Sequence, residues 1–149
     1  MDIQEDLRTH LKAVSLVAAS IVGSLLLYLG AEEFLRARFR PFLGFLVLSN
    51  LQAMRYALFG LAIVAIILIR ILRPRLLRRA AGDNAKTVLH RIQRASLTSL
   101  VLAEVPGTIG LVLFLAAGLN VDFYLLLFVS LVLVFMYFPR RSAWEEWLS

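Results

Sequence analysis
Leu61-Ala62-Ile63-Val64-Ala65-Ile66-Ile67-Leu68-Ile69 runs for nine residues without a charge or a polar side chain. Widened to residues 54–72, the stretch meets only Arg55 and Arg70 as charges, one near each end. A helix needs about 20 mostly apolar residues to cross a bilayer, and this stretch has that length. It sets the class of the whole chain, because three further runs resemble it. Residues 11–30 carry no charge after Lys12, residues 96–117 carry one acid, and residues 123–138 end abruptly at Pro139-Arg140-Arg141. Residues 118–122 alone separate the last two runs, so these should form an antiparallel hairpin. The expectation is an all-α, polytopic membrane protein, a single membrane domain over 1–149 with four transmembrane helices. A cleaved leader would suit the first run less well. Asp2, Glu5 and Asp6 stand where such a leader is basic, and the apolar run is long for one.

Composition agrees. Of 149 residues 60% are hydrophobic, with a mean hydropathy of +0.81. Soluble domains carry about 45–50% apolar residues. The absence of cysteine excludes disulfides, thiolate zinc sites and the membrane thiol oxidoreductases that need Cys pairs. The formal charge of +6 comes mostly from bases beside apolar runs. That placement points to topology and to lipid headgroups, anionic ones among them, and not to nucleic acid.

Residues 73–95 form the most basic loop. Arg70, Arg73, Arg75, Arg78, Arg79, Lys86, Arg91 and Arg94 lie in or beside it, opposed by Asp83. By the positive-inside rule this loop is cytoplasmic, and with four spans both termini are too. Arg70, Arg73, Arg75, Arg78 and Arg79 are the candidate headgroup contacts. The opposite loop carries Arg36, Arg38, Arg40 and Arg55, with Glu32 and Glu33 available to pair. Residues 42–48 are apolar but too short to span. They read as an interfacial segment, or as the loose start of the second helix, with a re-entrant loop as a further option.

Pro74 marks the expected stop of the second helix. Asp83 or Asn84 could cap the next one, and nothing breaks the chain between Ala85 and Ser96, so the third helix should project into the cytoplasm. Ser142 and Glu145 have capping-box spacing, which predicts a C-terminal interfacial helix over 142–149. Trp144 and Trp147 would then anchor at the headgroup level, or form a docking tail.

Glu104 is the one acid deep inside a span. It lies about 12 Å past Ser96 at 1.5 Å per residue, near the middle of a core about 30 Å thick. An ionised carboxylate there costs at least about 2.5–3.5 kcal/mol, so it must be protonated, paired or facing a wet cavity. Pro106 removes a backbone donor, frees the carbonyl of Leu102 and should kink the helix. Thr108, one turn after Glu104, can hydrogen-bond locally. Ser96, Ser99, Ala103, Gly107 and Gly110 share one stripe, which allows close helix contact. Ser15, Ala19 and Gly23 form a second small-residue face, suited to the third helix or to another copy. Ser130 is the only internal polar residue of the fourth span, which reads as lipid-facing or structural. His10 and His90 fall outside the apolar runs. No metal-ligand cluster, nucleophile with a base, or phosphate loop appears, so no enzyme, metal or other cofactor is expected.

Ala103-Glu104, then Pro106-Gly107 and Gly110-Leu111-Val112-Leu113, resembles the ion-carrying helix of rotary ATPase proteolipid (c) subunits. The resemblance covers about a dozen residues and implies that Glu104 binds a translocated proton or sodium ion. That family's glycine-rich partner helix has no counterpart here. Ala103-Glu104-Val105 with Gly107 and Thr108 also looks like the acid-bearing segment of small multidrug resistance transporters, where a glutamate is shared between protons and a cationic drug. Those carry the acid in the first helix, whereas here it stands in the third span.

Three readings follow. The first is a small non-enzymatic membrane subunit, placed by its charge pattern in a bacterial inner membrane, assembling with itself or other membrane subunits. The second is a proton- or cation-translocating protein using Glu104. The third is an anionic-lipid-binding scaffold using the basic loop.

Overall fold
The computed structural model describes residues 3–47, 49–78 and 84–148, the side chains of 3, 143 and 146–148 excepted. It is all-helical: α1 (Ile3–Arg38), α2 (Leu51–Leu76), α3 (Ala85–Ala117), α4 (Asn120–Met136) and α5 (Arg141–Leu148). Three helices, Gln4–Arg38, Leu51–Leu76 and Ala85–Ala117, are long and apolar enough to cross a membrane. The fourth, Asn120–Met136, is apolar but shorter, about 25 Å at 1.5 Å per residue.

The helix α3 is the hub. It packs against α4, α2 and α1, whereas α1 and α4 touch only lightly. Burial follows this plan. Val14, Ala18, Ile21 and Leu25 of α1 are buried, at spacings of three and four that put them on one face. Ala62, Ala65 and Ile69 do the same for α2. Outward faces are apolar as well: Leu16, Leu27, Ile63, Ile67, Phe128 and Phe135 are exposed. Apolar residues on both sides of a helix are what a hydrocarbon solvent requires.

The helix boundaries depart from the sequence pattern where polar chemistry was weighed too heavily. Pro74 does not stop α2 but lies in its final turn, where a missing N–H leaves only one carbonyl, that of Arg70, short of a partner. Asn84 is the N-cap of α3, yet its side chain makes no cap bond; Asp83 lies outside the described residues. From Ala85 the helix runs unbroken into the apolar stretch, as expected. The helix α5 begins at Arg141, so Ser142 is inside it. Glu145 accepts from Arg141 Nε at 2.7 Å instead of closing a capping box. Trp144 is 4% exposed and lines a cleft with Ile92, Ala95 and Ser96 of α3. It is therefore a packing residue within the chain, seated beside the start of the third apolar run. The side chain of Trp147 lies outside the described residues.

Residues 39–50 are not the loose start of α2. The backbone N–H groups of Phe45 and Leu46 donate to the carbonyls of Leu115 and Ala116 at 2.8 and 3.1 Å. The segment thereby satisfies two of the carbonyls that a helix end leaves without partners. Close approach explains two glycines. Gly44 (φ 88) and the αL cap Gly118 (φ 66) both lie where a Cβ would strike backbone, that of Ala116 and of Phe42 respectively. Phe42 packs on Phe114, which packs on Phe123. Leu43, Phe45, Leu46 and Val47 remain exposed.

Candidate functional site
The site is built on α3 around Pro106. Ser96, Ser99, Ala103, Gly107 and Gly110 are all buried. This small-residue stripe closes within the chain, chiefly on α4. A Cβ on Gly107 would meet Leu25 of α1 at 2.5 Å and Ser130 Oγ of α4 at 3.1 Å. One on Gly110 would meet Leu126 and Phe123 at 3.1 Å.

Ser130, the internal polar residue of the span read as lipid-facing or structural, is fully buried and reaches the α3 backbone on both sides of Pro106. The Gly107 N–H donates to Ser130 Oγ at 2.7 Å, and Ser130 Oγ donates to the Glu104 carbonyl at 3.4 Å. A proline disturbs the hydrogen-bond ladder around it, and here a hydroxyl from a neighbouring helix supplies further partners to the adjoining backbone. Nothing in the fourth span's pattern pairs Ser130 with Pro106. The pairing depends on the register of the hairpin.

Glu104 is half-buried on the seam between α3 and α1. Its Oε1 accepts from Ser24 Oγ at 2.6 Å and from Tyr28 Oη at 3.1 Å. Both bonds fall on Oε1; Oε2 accepts none among the described residues. Ser24 Oγ also lies 2.8 Å from the Ile21 carbonyl. A hydroxyl has one proton for these two acceptors. If Glu104 is ionised, Ser24 donates to it. If Glu104 is neutral, it can donate to Ser24, which then donates to Ile21. The geometry satisfies both protonation states.

Thr108 is exposed, with Oγ1 3.3 Å from the Glu104 carbonyl. Val101 and Val112 are exposed beside it, seven residues before and four after. With Glu104 at its edge, this is the strip of α3 left uncovered between the α1 seam and the α2 seam. The latter is marked by Ile109 and Leu113 packing with Ala62. The second small-residue face does not meet α3. Ala19 is exposed, and a Cβ on Gly23 would have nothing within 4 Å. Val14, Ala18, Ile21 and Leu25 make that contact instead.

The two ends of the bundle hold further polar clusters. At the end near Gly118, Tyr124 Oη donates towards Glu32 Oε2 (2.7 Å) and Glu33 Oε1 (2.6 Å). Arg36 lies 3.5 Å from Glu32, which is fully buried. The geometry is an ion pair without an aligned hydrogen bond on Glu32 Oε1. Arg55 brackets the buried Asp122, with Nη2 donating to Oδ1 at 2.7 Å and Nε 2.6 Å from Oδ2. Two of the four arginines in this loop region are thus neutralised by acids, one of them the unforeseen Asp122.

At the other end Arg70 is exposed. Arg73 is half-buried over the Tyr137 ring, 4.7 Å from its centroid, so it spends its charge on an aromatic face within the chain. Arg75 and Arg78 are exposed opposite the first turns of α3; Arg79 lies outside the described residues. His10 and His90, far apart in sequence, meet edge to face at 5.1 Å, and His10 Nδ1 is 2.6 Å from Gln93 Oε1. The residues that sequence reasoning missed are therefore Ser24, Tyr28, Asp122, Tyr124 and Ser130.

Comparison with known protein families, curated proteins and solved structures gives no match to this chain.

Proposed function
We propose that this chain is a small non-enzymatic membrane subunit of four crossing helices, with both termini and the basic loop in the cytoplasm of a bacterial inner membrane. Its uncovered strip of α3 receives a membrane helix from a second copy or another subunit. The observation that carries the reading is the half-buried Glu104 beside exposed Thr108, with Val101 and Val112, at bilayer depth. Two hydroxyls satisfy one carboxylate oxygen, and a covering helix would remove the rest of the acid from hydrocarbon. The orientation rests on the larger number of basic residues in and beside the loop at 73–95.

A second reading rests on Ser24. Because its proton can go either way, Glu104 can gain or lose a proton without orphaning its partners, which suits proton or cation translocation. One experiment separates the two. Native mass spectrometry of gently extracted protein should show an assembly, and Glu104→Gln should preserve it while proteoliposomes of either form stay tight to protons. A solitary chain would overturn the subunit reading. Proton flux abolished by Glu104→Gln would install the carrier reading in its place.

A further inference from the structure
The end of α2 and the beginning of α3 enclose a cleft of about 220 Å³ lined by Arg75, Leu76, Arg78, Arg91 and Arg94. The generic account of basic residues beside a membrane helix is a scattered, solvated collar. Here four arginines line one small space: Arg75 on α2, Arg78 just past its end, and Arg91 and Arg94 on α3. Arg91 Nη1 donates to the Arg78 carbonyl at 2.6 Å, which ties the two walls together. Arg94 lies two residues, and Arg91 five, before the apolar run that starts at 96, so they stand about 3–8 Å outside the hydrocarbon. That is the depth of lipid headgroups. A guanidinium presents a planar fork that matches phosphate oxygens two at a time.

We propose that this cleft binds the phosphate of an anionic phospholipid headgroup. The acyl chains would lie on the exposed apolar flank of α2, where Ile67, Leu68 and Ile71 face outward. The projecting start of α3 supplies half of the ligands, which gives the cytoplasmic extension of that helix a role. The site is independent of the subunit reading, because it uses none of the α3 strip around Glu104.

The test is native mass spectrometry of the full-length protein in micelles doped with phosphatidylglycerol or, separately, with phosphatidylcholine. Retained phosphatidylglycerol should fall roughly thirtyfold in Arg91→Gln/Arg94→Gln and equally in Arg75→Gln/Arg78→Gln, which alter opposite walls. Arg38→Gln/Arg40→Gln removes the same charge at the other end and should change little. Equal loss in all three pairs, or none in either cleft pair, overturns the proposal. Displacement of the lipid by millimolar inorganic phosphate would assign the cleft to the free anion and overturn the lipid assignment.

Discussion
Two faces of α3 differ in the bulk of their side chains and have opposite fates. On one, Ser99, Ala103, Gly107 and Gly110 are buried and Ser130 reaches in from α4 to the backbone beside Pro106. On the other, Val101, Thr108 and Val112 stay exposed, with Glu104 half-covered at the border by Ser24 and Tyr28. The difference is one of volume. Small side chains let α4 approach until backbone and hydroxyl groups hydrogen-bond across the seam, whereas the β-branched strip keeps neighbours at a distance. A helix in lipid gains nothing from hiding apolar surface as such, so close packing decides which face is closed.

The sharpest way to break this comparison is to fill the closed face. Gly107→Leu should place side-chain atoms against Leu25 and Ser130 and cost about 3 kcal/mol of stability, read as a fall in the thermal unfolding midpoint in detergent. An unchanged midpoint would mean that the α3–α4 contact is not the one described. A smaller loss, about 1–2 kcal/mol, is expected for Ser130→Ala, which leaves the buried Gly107 N–H without its acceptor. Hydrogen exchange at Gly107 should rise with it; protection that stays the same would show that another group bonds the backbone beside Pro106. On the open face the expected effect is smallest. Thr108→Val should alter the stability of the isolated chain by less than about 0.5 kcal/mol. If that variant nevertheless lowers recovery of the assembly, the strip is an interface; a large loss of stability in the isolated chain would show that the face is not open at all.

Much of the plan was legible in the chain. The apolar runs located α1 to α4, the link at 118–122 implied a hairpin, and the lack of a breaker before Ser96 implied the long start of α3. The stripe from Ser96 to Gly110 was also visible as a pattern. The same reasoning left open which face of α1 meets α3, because Ser15, Ala19 and Gly23 fit a packing template as well as Val14, Ala18, Ile21 and Leu25 do. Nor did it foresee that α5 folds the Trp144 ring onto α3.

The division has a physical cause. Lipid offers no hydrogen bonds, so a long apolar run must satisfy its backbone within its own helix, and the crossing segments follow from local sequence alone. The chemistry around Glu104 does not. In hydrocarbon nearly every face of a helix is apolar, so periodicity no longer says which face turns inward. Only the packed structure brings Ser24 and Tyr28 of α1 onto the carboxylate of α3, and Ser130 of α4 onto the backbone beside it.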